Sequence, residues 1–175
     1  MINLVKQIIL YYFKNKKAPL ELDLKIEDES LLAKKGTLFV TFYKSWEIVG
    51  SAWNVKEIEN NFVKELIENT IAALNDKRWP IKASEAKDLK IRVDIITKRE
   101  VISKQIDFDE INPVKYWVIA IRKDYEKLAV ILPNINPNIF TSADLAWAIS
   151  KKLQEKFDLK NFITYKIQTE TISDF

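Results

Sequence analysis

The stretch GTLFVTFYKSWEIVGSAW, residues Gly36–Trp53, decides how this chain folds. It contains both glycines of the protein and its clearest run of β-branched and aromatic residues, which favour strands. We predict a strand over Thr37–Phe42, a polar reversal near Lys44-Ser45 and a return strand over Glu47–Ala52. The return strand carries Gly50, and a glycine inside a strand marks a bulge or the close approach of another backbone or a ligand. Gly50 is therefore the first candidate site residue.

Apolar residues at helical spacing predict long helices around this hairpin. They cover residues 2–16, the stretch from Asn54 to about Asn75, and the stretch from Thr141 to about Phe157. Asn54 with Glu57, and Thr141 alone, supply the polar side chains that begin helices. Shorter helical turns are expected at Leu31–Lys34, ended by Gly36, at residues 84–87 and at Asp107–Ile111.

Alternating or densely apolar segments predict four further strands. These strands cover Leu89–Ile95, Tyr116–Arg122, Lys127–Leu132 and residues 163–171. In the first of them, Lys90, Arg92 and Asp94 form the polar side of a strand with one buried face. Helices interspersed with hairpins predict an α+β fold with a mostly antiparallel sheet and packed helices. We expect a single domain over residues 1–175, with a larger lobe and a smaller second lobe.

The composition excludes several kinds of catalysis. The chain has no cysteine and no histidine, so it has no thiol nucleophile, no imidazole base and no site built from Cys or His metal ligands. Acidic clusters occur at Glu27-Asp28-Glu29 and at Asp107, Asp109 and Glu110. We interpret them as a solvated loop and a helix start, and we expect neither a metal nor another cofactor.

Charge and hydropathy indicate a soluble, cytoplasmic protein. The net charge is only +3, from 28 basic and 25 acidic residues that are interspersed along the chain, so we do not expect nucleic-acid binding. The apolar run near the N-terminus lacks the basic start and the small-residue cleavage site of a signal peptide. No segment approaches the ~18 apolar residues of a membrane helix, and we expect no membrane association.

Two further segments carry candidate binding residues. Arg78 and Trp79 follow the second long helix, where an arginine beside a tryptophan can clamp an anion or stack on a base. The alternative is that Trp79 packs under the helix end while Arg78 caps it. The loop that begins at Pro133-Asn134 can frame a ligand with its amides, and the alternative is a series of Asx turns.

The order of these segments resembles the AMMECR domain family over essentially the whole chain. The residues that carry the resemblance are KGTLFVTFYKSWEIVGSAW, IENTIAALNDKRWP, DLKIRVDIIT, LAVILPN and ITYKIQTETI. The family signature Leu-Arg-Gly-Cys-Ile-Gly aligns with residues 48–53, where only Gly50 is identical and Ser51 replaces the cysteine. A second family element, "DxRFPP", is similar to Asp76, Arg78, Trp79 and Pro80, and a third, "LLPQ", is similar to Ile131–Asn134.

The resemblance implies a two-lobed α+β fold and an intracellular protein for which no reaction is firmly assigned. It also implies a Memo-like protein or a radical S-adenosylmethionine enzyme as a partner. Because the signature arginine and cysteine are missing, the resemblance supports the fold more than a shared activity.

Our first hypothesis is an accessory, non-enzymatic domain that binds a protein or small ligand in a cleft between its lobes. The site residues would be Gly50, Ser51, Arg78, Trp79, Pro133 and Asn134. One alternative is an RNA- or nucleotide-binding protein that uses a basic and aromatic surface around Lys34, Lys35, Arg78 and Trp79. A second alternative is an enzyme that works without His or Cys. The sequence does not predict the oligomeric state.

Overall fold

The protein has the predicted α+β fold, as seen in a computed structural model that describes residues 1–54, 56–76, 80–133 and 138–175. Six strands form one sheet in the order β2-β1-β3-β6-β4-β5. The strands are β1 Leu38–Lys44, β2 Glu47–Trp53, β3 Lys90–Ile102, β4 Trp117–Arg122, β5 Leu128–Ile131 and β6 Phe162–Ser173. The pairs β1–β2, β1–β3, β4–β5 and β4–β6 are antiparallel, as expected. The chain divides into two compact units, Met1–Ile95 with Glu170–Phe175, and Ile96–Thr169.

In the first unit, helices cover one face of the β1 hairpin. Helix α1 spans Ile2–Asn15, and its buried stripe of Leu4, Val5, Ile8 and Ile9 agrees with the predicted amphipathic pattern. The helix ends as Lys16 turns to the left-handed conformation, with φ of 57°. Helix α2 is one turn, Ser30–Ala33, and helix α3 spans Phe62–Leu74. The core joins α1 and α3 to the side chains of Leu38, Val40 and Phe42 from β1.

Helix α3 begins eight residues after the predicted cap, Asn54. Its N-cap is Asn61, whose side chain accepts a hydrogen bond from the backbone N–H of Lys64 at 3.0 Å. The predicted start is wrong because the preceding loop is tied to the helix by the buried carboxylate of Glu65. That carboxylate accepts hydrogen bonds from the Asn54 side chain and from the backbone N–H groups of Ile58 and Glu59. These contacts hold the loop in a non-helical conformation.

The two glycines of the deciding stretch do not adopt the left-handed backbone conformation. Neither has a positive φ, so Gly36 does not end α2 in the left-handed conformation, and Lys34 is the C-cap. A Cβ atom at Gly36 would lie 3.1 Å from the ring of Phe62, so the glycine makes room for this core residue. The hairpin turn instead places Ser45 and Trp46 at positive φ, 51° and 67°, which matches a type I′ turn.

The second unit contains the last two helices and the β4–β5 hairpin. Helix α4 is Gln105–Asp109, and helix α5 is Ser142–Leu153. Thr141 caps α5 as predicted, and Asp144 completes a reciprocal capping box with it. A core of this unit packs α5 residues such as Leu145 and Ile149 with side chains of β4, β5 and α4. Within the described ranges, none of the helices combines the length and apolar character that a bilayer span requires.

Candidate functional site

Gly50 is the point at which strand β2 touches helix α3. The β1–β2 register shifts between Phe42 and Tyr43, so β2 bulges next to Gly50. A Cβ atom built on Gly50 would lie 2.2 Å from the carbonyl oxygen of Ala73, in the last turn of α3. The prediction of a bulge or a close approach at this glycine is confirmed, since a bulge and a close helix backbone are both present. Its role is to hold the strand against the helix, which fixes the position of the next residue, Ser51.

Ser51 connects two of the segments that carry the family resemblance. Its backbone N–H donates to the Asp76 carboxylate at 3.1 Å, and Asp76 follows the end of α3. Its hydroxyl lies 3.2 Å from the Thr41 hydroxyl across the β1–β2 pair. Ser51 and Asp76 are half-buried, whereas Thr41 is fully buried. The signature strand and the segment that resembles "DxRFPP" are therefore joined at Ser51.

A charged pair lies on β3, beside Thr41. Thr41 faces Arg92 in the β1–β3 register, and Arg92 binds Asp94 through Nε and Nη2 at 2.7 and 2.8 Å. The Thr171 hydroxyl also donates to Asp94, which is fully buried. We call Ser51, Thr41, Arg92 and Asp94 the polar row. The interpretation of Asp94 as part of an exposed strand face is wrong, because Arg92 and Thr171 satisfy its charge inside the protein.

Electrostatic contacts favour the charged form of Arg92. Burial disfavours the charged guanidinium, but the hydrogen bonds and charge of Asp94 outweigh it, so the pKa of Arg92 is raised above its ordinary value. Burial also raises the pKa of the neighbouring Tyr43 phenol, with Arg92 opposing the shift. Neither group offers a proton for transfer near neutral pH.

An aromatic pair lies beside the polar row. Phe39 pairs with Trp53 across β1 and β2, and their ring centroids are 5.8 Å apart. Because side chains alternate along a strand, these rings share the face of Ser51 and Thr41. Trp53 is half-buried and Phe39 is fully buried. The half-buried part of this face therefore includes the Ser51 hydroxyl and the indole of Trp53.

The remaining predicted site residues lie in the second unit or outside the described residues. Pro133 is buried just after β5 in the second unit, whereas Gly50 and Ser51 belong to the first unit. Arg78, Trp79 and Asn134 lie outside the described residues. Lys34 and Lys35, which belong to the nucleic-acid alternative, are exposed after α2. The site prediction as a whole stays a prediction.

Sequence reasoning missed Thr41, Arg92 and Asp94 as neighbours of Ser51. One signal could have found the ion pair, because Arg92 and Asp94 are two residues apart and therefore project from the same face of a strand. Oppositely charged neighbours on one face can neutralise each other and become buried.

The described residues offer little for metal binding. Nowhere in the described ranges do three acidic side chains converge on a possible metal position, and this covers both acidic clusters of the sequence. In the first cluster, the pKa of Asp28 is lowered by its hydrogen bonds to Ser30, so this carboxylate supports the start of α2.

Comparisons with known proteins place the chain in a family. The structure is similar to the crystal structure of an uncharacterized protein, PH0010, from Pyrococcus horikoshii, with a TM-score of 0.80 and 19% sequence identity. The match covers 97% of this chain and 87% of that one, and at this identity it shows the fold alone. A search of curated proteins found no significant match. A family model described as AMMECR1 matches residues 2–169. The chain therefore belongs to the AMMECR1 family.

Proposed function

We propose that this AMMECR1-family chain is a non-catalytic binding domain, with Ser51 at the centre of a site for a small polar ligand. The observation that carries the proposal is the surroundings of the Ser51 hydroxyl. Among the described residues, its hydrogen-bonding neighbour is the Thr41 hydroxyl rather than a carboxylate or an amine. A serine becomes a nucleophile only beside a base, so this hydroxyl is suited to hydrogen bonding and not to covalent catalysis.

The composition of this face indicates the class of ligand. A hydroxyl that already shares a hydrogen bond with Thr41 can still accept or donate one more. The half-buried indole of Trp53 offers a flat apolar surface on the same face. A small molecule with a flat apolar body and a hydroxyl or carboxylate fits both groups. Gly50 and Asp76 support the proposal because they fix the backbone of β2: Gly50 packs against α3, and Asp76 accepts the backbone N–H of Ser51.

The other predicted residues enter the proposal in their predicted roles. Arg78 would clamp an anionic group and Trp79 would stack beside it, while Pro133 and Asn134 would form a polar rim. The cleft between two lobes stays a prediction. The partners implied by the family resemblance, a Memo-like protein and a radical S-adenosylmethionine enzyme, belong to the same proposal.

Thermal unfolding with a defined panel of compounds tests the ligand site. The panel is benzoate, 4-hydroxybenzoate, adenosine, adenosine monophosphate and phosphate. A compound at about 100 times its Kd stabilises the folded state by about 2.7 kcal/mol, which raises Tm by several degrees. Ser51→Leu should abolish the shift by filling the site. Ser84→Leu is the matched control, because Ser84 is exposed elsewhere in the same unit.

Two outcomes would contradict this proposal. One is that no compound of the panel raises Tm. The other is that a shift persists in Ser51→Leu while the variant unfolds cooperatively. An Arg78→Ala variant extends the test, because it should weaken the binding of the anionic compounds more than the binding of adenosine.

A further inference from the structure

An apolar groove lies on the first unit, away from the polar row. It is bordered by residues 19–26, α2 and α3, and it has a volume of about 650 Å³. Leu20, Leu22 and Leu32 line it, and they are 64%, 82% and 38% exposed. Ile67 of α3 contributes a buried side chain. We call it the leucine groove. Contiguous apolar surface of this kind marks interaction sites, whereas single exposed leucines need no explanation.

The walls of the leucine groove are held in place by polar contacts. The backbone N–H of Leu20 donates to the Asp23 carboxylate at 2.8 Å. Gln7 on α1 exchanges two hydrogen bonds with the backbone of Lys25, at 2.8 and 3.2 Å. The side chain of Asn61 donates to Glu21. The leucines are therefore presented by a fixed backbone, which lowers the entropy cost of binding a partner.

The rim of the leucine groove is negatively charged. Glu21, Glu59, Glu68 and Lys64 line it, and Lys64 lies 3.9 Å from Glu21. Among the described residues, the carboxylates of Glu59 and Glu68 have no ion-pair partner, so the rim keeps two net negative charges. The whole chain carries a net charge of +3, so the charge of this rim is opposite in sign to that of the chain. Charge complementarity therefore favours a basic partner and disfavours nucleic acid and anionic membranes.

We propose that the leucine groove binds an amphipathic helix of a partner protein, with leucine-like anchors and flanking lysines or arginines. A helix fits because α3, α2 and loop residues border the groove, and none of the lining residues belongs to a strand that could accept another strand. A second copy of the chain is a poorer occupant. Its exposed basic helix face offers one anchor, Leu10, flanked by Lys6 and Lys14.

Two labelled helical peptides of 16 residues test this proposal by fluorescence anisotropy. Both carry leucine at positions i, i+3 and i+7, and one has lysines on its flanks where the other has glutamates. The lysine peptide should bind at least roughly tenfold more tightly than its twin at low salt, because the two rim carboxylates attract one and repel the other. Its binding should weaken at 500 mM salt.

Matched variants assign the binding to the groove. Leu22→Ser should weaken binding of the lysine peptide about tenfold, whereas Leu10→Ser, at a similarly exposed leucine, should not. Glu59→Lys with Glu68→Lys should make the glutamate peptide the better ligand. The exposed pair Glu47→Lys with Glu110→Lys changes the net charge equally and should leave the preference unchanged.

Several results would overturn the proposal. They are failure of both peptides to bind, equal binding of both, and binding that Leu22→Ser leaves intact. Sedimentation that shows a dimer dissolved by Leu22→Ser would assign the groove to a second copy. Preferential binding of zwitterionic vesicles would assign it to a lipid surface. None of these results depends on Ser51, so the small-ligand proposal is tested separately.

Discussion

At the scale of single residues, Gly50 has the sharpest steric requirement in the chain. An added methyl group would meet the Ala73 carbonyl oxygen at 2.2 Å, and this atom belongs to helix backbone that cannot rotate away. We expect Gly50→Ala to lower the free energy of unfolding by about 2 kcal/mol, through overpacking rather than through φ. Urea unfolding at neutral pH measures this loss.

Gly36→Ala is the natural comparison for that experiment. Its Cβ would lie 3.1 Å from the Phe62 ring, and a side chain can shift by a few tenths of an ångström. Gly36→Ala should therefore lower the free energy of unfolding by clearly less than Gly50→Ala. Equal stability of Gly50→Ala and the wild type would show that β2 can move away from α3.

The surroundings of Ser51 show which contacts of single residues the sequence predicts and which it does not. The sequence indicated Gly50 and Ser51 through the family resemblance, and the close approach at Gly50 was expected because a glycine lies inside a strand. The neighbours of Ser51 come from β1, β3 and the end of α3, and they lie up to 43 positions away from it along the chain. Such contacts depend on strand register, which a single sequence does not determine here because its turn lacks an Asn-Gly or Asp-Gly pair.

At the scale of elements, helix α5 depends on its N-terminal capping box. Thr141 Oγ1 accepts from the backbone N–H of Asp144, and the Asp144 carboxylate accepts from the backbone N–H of Thr141. We expect Thr141→Ala to cost about 1 kcal/mol and Thr141→Ser to restore most of it. Chemical denaturation of the three proteins measures this. A serine variant as unstable as the alanine variant would contradict the capping explanation.

A pH prediction concerns the contact between β3 and β6 in the second unit. Glu100 lies between Lys166 and Lys98, and their hydrogen bonds lower its pKa from 4.5 to about 2. A lowered pKa in the folded state contributes stability above pH 4.5, and the contribution is lost as the pH falls from 4.5 to about 2. The stability difference between wild type and Glu100→Gln should therefore shrink over this range.

Urea unfolding at several pH values, for both proteins, measures that difference. Taking the difference removes the contributions of the other carboxylates. High salt should reduce it, because the lysines and Glu100 are partly exposed. A difference that is constant from pH 6 to pH 2 would show that the lysines do not stabilise the folded protein through Glu100.

The beginnings of α5 and α3 explain which element boundaries the sequence predicts. Thr141 was predicted correctly because the capping signal and the apolar spacing begin at the same place. For α3, both Asn54 and Asn61 are possible caps, and the pattern following Asn54 is the more complete. The choice is made by Glu65, which is buried and binds the backbone of the loop. Local signals cannot report such a tertiary contact.

At the scale of the whole molecule, a part of the positive charge is engaged in ion pairs. These pairs are Lys6–Asp174, Lys44–Glu85, Lys98–Glu100, Lys166–Glu100, Lys127–Glu155 and Arg122 with Asp124, Glu126 and Glu155. A small net charge distributed in this way gives no clustered basic footprint. The family assignment agrees with the predicted fold.

We therefore expect no saturable binding of single-stranded RNA between 50 and 200 mM salt. A labelled RNA titrated with the wild type and with the Lys34→Glu, Lys35→Glu double variant measures this by anisotropy. A basic surface that binds RNA would instead give an affinity that falls steeply with salt. If such binding occurs and the double variant loses it, the RNA-binding alternative is correct.

Strand β2 lies at one end of the strand order, so its outer backbone groups could accept a strand from another molecule. The Asp76 carboxylate occupies the outward N–H of Ser51 and places a negative charge on that edge. Light scattering of concentrated Asp76→Ala should rise with time, whereas Asp88→Ala, at an exposed position, should match the wild type. We therefore expect the bond that positions Ser51 also to protect the protein against edge-to-edge aggregation.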